Sequence, residues 1–197
     1  MTGMDRDTEL SLVEGLRSGD PAAFDAVYEA YRARVFGFLL RLSRSRTVAE
    51  DLLDETWLRL VSKARSLRAD TRLGPWLFTV ARNLYWRHRR SCLMEETRDP
   101  TALALWPSPE AWPSPLEIAA GDELQRRIER ALAGLRPQHR EVLLLVGVEG
   151  LTPSEAAVVC GLTPEALRQR LARARAALAE KIDLQRGGGA LKRSYGT

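Results

Sequence analysis

The sequence predicts an all-α protein of two helical domains joined by a proline-rich linker. Three observations predict it. Apolar residues recur at steps of three and four over most of the 197 residues, which is the period of helices buried along one face. Five of the ten prolines, Pro100, Pro107, Pro109, Pro113 and Pro115, fall in one stretch between residues 92 and 118 and fit neither a helix nor a central strand. The helical stretches on either side carry their own start and stop residues. The division is therefore an N-terminal domain over 1–91, a linker over 92–118, a C-terminal domain over 119–184 and a glycine-rich flexible tail over 185–197.

The first helix spans 8–18, with Leu10, Val13 and Leu16 on its buried side and Gly19 at its end. Asp20 and Pro21 start the second, which runs to about Leu42 and buries Phe24, Val27, Tyr28, Tyr31, Val35, Phe38, Leu39 and Leu42. Arg41, Arg44 and Arg46 make a basic connection, readable equally as a solvated loop or as phosphate contacts. Thr47 and Glu50 have capping-box spacing at the start of a third helix. Its core stripe is Ala49, Leu53, Trp57, Leu60 and Ala64, which leaves Asp51, Asp54, Glu55 and Leu58 on the far side for a partner.

Pro75 suits the first turn of a fourth helix. Leu77, Val80, Ala81 and Leu84 form its buried stripe. Opposite them lie Thr79, Arg82, Asn83, Trp86, Arg89 and Arg90, with Phe78 and Tyr85 on one flank and Arg87 on the other. Rings among arginines suit unpaired nucleic acid, because aromatic rings stack on bases while guanidinium groups hold phosphates. The plainer alternative is a buried helix with a charged end. The linker that follows is acidic, through Glu95, Glu96, Asp99, Glu110 and Glu117, and contains Trp106 and Trp112, which fit docking and idle exposure equally well.

In the C-terminal domain Leu124, Ile128, Ala131, Leu132 and Leu135 mark one amphipathic helix. Pro137 opens a second, with Val142, Leu143, Leu145 and Val146 as core and an end near Gly150. Thr152, Pro153 and Glu155 start a third, which Gly161 stops after barely two turns, and Thr163 and Pro164 start a fourth. Two capped helices about a glycine turn make a helix-turn-helix. The last helix buries Leu167, Leu171, Ala174 and Leu178. Gln169, Ala172, Arg173 and Ala176 face away, with Arg168, Arg175 and Arg170 beside them, a surface suited to the major groove of duplex DNA.

Composition bounds the function. The net charge of +4 is too small to argue for nucleic acid on its own, so the local faces must carry that argument. Cys92 and Cys160 form no Cys-x-x-Cys motif and read as inert free thiols in a reducing compartment. His88 and His139, the only histidines, are read as lacking a ligand partner at helical spacing, so no metal and no cofactor is expected. There is no clustered acid–base constellation or phosphate-binding glycine loop, so no catalytic residue is assigned and an enzyme is the weakest reading. No apolar run reaches membrane-spanning length and no signal peptide opens the chain, so a cytoplasmic protein without membrane insertion is expected.

The stretches "AEDLLDETWLRL", "PWLFTVARNLYWRHRR" and "LTPSEAAVVCGLTPEALRQRLARARAAL", in that order, resemble bacterial RNA polymerase sigma factors of the extracytoplasmic-function (ECF) group. The resemblance implies a promoter-recognition subunit without catalysis, built from a sigma region 2-like domain and a sigma region 4-like domain. It implies that Asp51, Asp54, Glu55 and Leu58 bind the clamp helices of the polymerase's largest subunit, with a further contact to the flap of the second-largest. Asn83 matches the family's asparagine for the unpaired minus-10 element, and Arg82, Trp86, Arg87 and Arg90 join it from the face reading. Arg168, Gln169, Arg170 and Arg173 correspond to minus-35 contacts, and an anti-sigma factor is an implied partner. Glu165 and Ala166 depart from a common Gly-Thr, so a promoter sequence does not transfer from relatives. The competing reading is a stand-alone helix-turn-helix regulator bound to operator duplex, which leaves the Asn83 and Trp86 face unexplained.

Overall fold

The computed structural model describes residues 5–98 and 123–192. Trp106, Trp112 and the five linker prolines lie outside the described residues, as do linker residues Asp99, Glu110 and Glu117. The described chain is all helical: α1 Arg6–Ser18, α2 Pro21–Ser43, α3 Arg46–Lys63 with a 3₁₀ turn Ala64–Ser66, α4 Leu73–Arg98, α5 Glu123–Ala133, α6 Pro137–Leu143 continued by a π-helical turn Leu144–Val148, α7 Pro153–Cys160 and α8 Pro164–Lys192.

In the N-terminal half α1, α3 and α4 pack around α2. Trp57 of α3 sits among Phe24 and Tyr28 of α2, with ring centroids 6.2 and 4.9 Å away, and Phe38 meets Phe78 of α4 edge to face at 5.4 Å. Gly15 lets α1 approach α2 closely, since a Cβ there would stand 2.5 Å from the Cβ of Ala23. Glu9, only 4% exposed, crosses from α1 to the start of α4, where its carboxylate accepts the Leu73 N–H at 2.8 Å. Arg72 donates to the same carboxylate at 3.1 Å. A carboxylate at a helix N-terminus meets unsatisfied amides and the positive end of the macrodipole.

In the C-terminal half α5, α6 and α7 pack on α8. The buried residues of both halves belong to one hydrophobic cluster, and α4 holds them together, with α2 and α3 on one side and α7 on the other. Arg140 of α6 is 3% exposed and has carbonyls as its partners: Leu132, Ala133 and Leu135 at the end of α5, and Arg41 and Leu42 at the end of α2. The last carbonyls of a helix lack intrahelical donors, so one guanidinium satisfies two helix ends at once. Burial lowers its pKa to about 10, far enough above neutrality to keep the charge.

Several expectations need correction. The cap of α3 is Ser45, whose hydroxyl accepts the Val48 N–H, so Thr47 lies inside the helix and Glu50 pairs with Arg46 at 2.9 Å instead. The left-handed Arg44 (φ 63°) brings Ser45 to the cap two residues early. The arginines of that connection therefore have local work: Arg44 ends α2, Arg46 opens α3 and Arg41 binds Glu129. The buried stripe of α4 is rotated, with Phe78 and Tyr85 in the core and Val80 only half-buried. Leu52 and Thr56 join the core of α3, whereas Leu124 of α5 is exposed. α4 runs on to Arg98, seven residues into the expected linker, and α8 continues to Lys192 through the expected flexible tail. A helix already many turns long adds one hydrogen bond per residue, and this works against the roughly 1 kcal/mol that each glycine costs.

Candidate polymerase and nucleic-acid interfaces

The outer face of α3 carries exposed Asp51 and Asp54 beside two exposed apolar side chains, Leu58 at 68% and Val61 at 59%. Such residues on one helix face offer an apolar contact rimmed by charge. Glu55 differs from its neighbours: Arg59 donates to it at 3.3 Å, and so does Arg87 of α4. The hydrogen bond from Arg87 holds the Glu55 carboxyl below its ordinary pKa. Val61 was not singled out from the sequence, although it lies three residues past Leu58 on the same face.

The second surface is the side of α4 turned away from α2. Asn83 and Arg90 are exposed there, and Trp86 is half-buried with its ring edge-on to Tyr85 at 5.3 Å. Arg82 donates from Nε to Glu141 Oε1 at 2.6 Å and from a terminal nitrogen to Asn83 Oδ1 at 3.1 Å. Trp86 donates its indole N–H to the same Glu141 Oε1 at 2.9 Å. Glu141 belongs to α6 of the other half and is fully buried. Arg82, Asn83, Trp86 and Arg90 thus line one wall of a cleft of about 330 Å³ whose other wall includes Gln138, Cys160 and Arg170. Arg87 stands apart from this group and faces Glu55.

The third surface is the helix-turn-helix. The Thr152 hydroxyl accepts the Glu155 N–H at 3.2 Å and the Glu155 carboxylate accepts the Thr152 N–H at 2.9 Å, a complete capping box. Gly161 takes φ 64°, so that its own N–H reaches Val158 O and the Leu162 N–H reaches Ala157 O, which closes α7 with a left-handed turn. Thr163 then caps α8 through the Ala166 N–H at 3.2 Å. On α8 Gln169, Ala172, Arg173 and Ala176 are exposed, as the helical period requires. Arg168 pairs with Glu165 on the surface, and Arg170 is turned inward to the cleft, away from Gln169 and Arg173.

The Sigma-70 region 2 family model matches residues 27–91, and the Sigma-70 region 4 model matches residues 125–178. The RNA polymerase sigma factor CarQ of Myxococcus xanthus is 33% identical over 80% of this chain and 88% of its own length. The ECF RNA polymerase sigma factor SigC of Mycobacterium tuberculosis is 31% identical over 93% of this chain and 97% of its own. The chain belongs to the ECF group of RNA polymerase sigma factors. Among solved structures, the sigma factor RpoE in complex with the anti-sigma factor NepR from Bartonella quintana matches with a TM-score of 0.67 and 25% identity, covering 81% of this chain and 96% of that one. The structure of CnrH with the cytosolic domain of CnrY matches with a TM-score of 0.66 at 22% identity, a likeness of fold.

In this sigma factor, region 2 therefore covers most of α2, all of α3 and most of α4, and region 4 covers α5 to α7 and the first half of α8. It directs promoter-specific initiation by RNA polymerase, and the stand-alone regulator finds no support. Sequence reasoning missed Glu141, which meets Arg82 and Trp86 from 59 and 55 residues away, and also Glu129, Glu149 and Glu155, which pair with Arg41, Arg34 and Arg72 of the other half, because no local pattern marks them. It also missed that Cys92 stands four residues after His88; the sulfur lies 3.6 Å from His88 Nε2. Among the described residues no group of three or more potential ligands joins them as a metal site. Cys160 is buried, and desolvation, then the nearby Glu141 charge, pushes its thiol up to about 12. No described helix is long and apolar enough to cross a membrane.

Proposed function

We propose that this sigma factor docks on the clamp helices of the polymerase's largest subunit through Asp51, Asp54 and Leu58, with Val61 extending the apolar contact and Glu55 joining once Arg87 lets go. Arg82, Asn83, Trp86 and Arg90 engage the unpaired minus-10 strand, with Arg87 at the edge of that surface. Gln169 and Arg173 read minus-35 base edges and Arg168 serves the phosphate backbone, while Arg170, turned into the cleft, stands off that surface. The flap of the second-largest subunit takes region 4, and an anti-sigma factor holds the protein idle. The protein has no catalysis of its own and works in the cytoplasm, where polymerase and promoter are. The observation that carries this reading is the exposed, basic outer face of α8 on a fully capped helix-turn-helix, in one chain with an acidic, apolar α3 face.

The test is run-off transcription with bacterial core polymerase on fragmented genomic DNA, with and without the protein. New start sites that depend on it are expected. Duplex binding by the protein alone, without polymerase association, would refute the reading.

A further inference from the structure

The recognition helix carries one acid among its cations. Between Pro164 and Ala179 the chain has four arginines and a single carboxylate, Glu165, in the first turn of α8. At about 100° per residue, Ala172 and Ala176 lie within about 20° of Glu165 around the helix axis and Gln169 within about 40°. All four are exposed. The acid therefore stands at the middle of the outer face, in the N-terminal turn from which a recognition helix contacts base edges. Its side chain is 65% exposed and meets Arg168, one turn on. A surface pair of this kind contributes little to stability, so the pairing alone does not account for an acid at this place. Toward duplex DNA the acid is a liability, because phosphates repel it and most base edges offer it no donor. Cytosine is the exception, with an amino group in the major groove. Adenine has an amino group as well, but its N7 acceptor faces the same carboxylate.

We propose that Glu165 is a specificity-determining residue, whose carboxylate accepts the exocyclic amine of a cytosine in the minus-35 duplex. The proposal rests on the reading of the outer face of α8 as the minus-35 surface. Arg168 has the complementary part. In the free protein it neutralises Glu165. On DNA its guanidinium turns to the phosphate backbone, and the carboxylate exchanges it for the cytosine amine. Where another base stands at that position, Glu165 keeps Arg168, and the phosphate contact is lost along with the base contact. One mismatch thus costs two contacts, so the acid discriminates by penalising wrong sequences more than by tightening the right one. Gln169 and Arg173 follow one and two turns further along the same face and read neighbouring base pairs, which puts the cytosine at one end of the stretch they read.

Holoenzyme made from the full chain and bacterial core polymerase tests it, on a promoter from the genomic run-off experiment whose minus-35 element has been randomised. Sequencing the templates that yield transcript gives the base preference at each position. The native chain should select cytosine at one position by about tenfold, and Glu165→Ala should level that position alone. Glu165→Gln should move the preference there from cytosine to adenine, because an amide matches adenine N6 and N7 where a carboxylate does not. The exposed position leaves both variants free to fold. Preferences unchanged in both variants, or a loss of output equal on every template, as an acid that only steadies the helix would give, overturn the proposal. In that case Gln169→Ala or Arg173→Ala still alters another position, and the reading of the α8 face stands. Preferences that none of the four variants alters overturn that reading and the proposal together. A run-off experiment without any dependent start site overturns the function and the proposal alike.

Discussion

Arg82, Arg87 and Arg173 look alike in sequence and have different partners in the fold. Arg82 is tied to a buried carboxylate, Arg87 to Glu55, and Arg173 is exposed on the outer face of the recognition helix. Arg173→Ala should therefore weaken binding to a cognate upstream duplex by about 1–3 kcal/mol and relax sequence preference, as measured with matched and mutated duplexes; an equal loss on every sequence would make it a phosphate contact. Cys160 gives a pH prediction. Its thiol is raised from 9.0 to about 12, so between those values the unfolded chain ionises while the folded chain keeps its proton. Stability falls as pH rises through that window. Urea midpoints should drop from about pH 8 to about pH 10 more steeply in the native chain than in Cys160→Ala, and equal slopes would remove the assignment.

At the scale of elements, the helix ends and close approaches decide what a substitution costs. Thr152→Ala removes the hydroxyl half of the α7 capping box and should cost about 1 kcal/mol in urea unfolding. Gly15→Ala drives a methyl against Ala23 and should cost about 1–3 kcal/mol, unless α1 shifts outward. The face of α3 now has a cleaner test than its acids taken together. Asp51→Arg with Asp54→Arg leaves the Arg87–Glu55 link intact and should abolish pull-down of core polymerase with no change in helicity. Substituting Glu55 as well would mix a docking effect with a loosened α3–α4 contact. Element positions and caps were legible in the sequence because caps and periodicity are local. The exceptions are instructive: Ser45 displaced Thr47 as cap because of the unusual left-handed Arg44, and α4 outran its predicted end because nothing before Pro100 stops a helix.

At the scale of the molecule, one core spans both halves, and Arg140 satisfies the ends of α2 and α5 at once. Arg140→Ala strands five buried or half-buried carbonyl contacts and should cost about 3 kcal/mol or more. Both halves should lose stability in calorimetry, because the residue serves both. A loss confined to the C-terminal half would mean that its bonds to α2 contribute little.

The sequence by itself determined the helices, the helix-turn-helix with its caps, the order of acidic, aromatic-basic and DNA-reading stretches, and through them the family. Each of these depends on residues within a turn or two of one another, where spacing dictates geometry. Only the tertiary structure decided what each face meets. The helical period places Arg82 and Trp86 on one side of α4, but that Glu141 should arrive there from 59 and 55 residues away depends on how two domains pack. The same packing turned Arg170 inward to the cleft while Gln169 and Arg173 stayed outside. Charge attraction and desolvation between distant segments have no period, so no local pattern announces them.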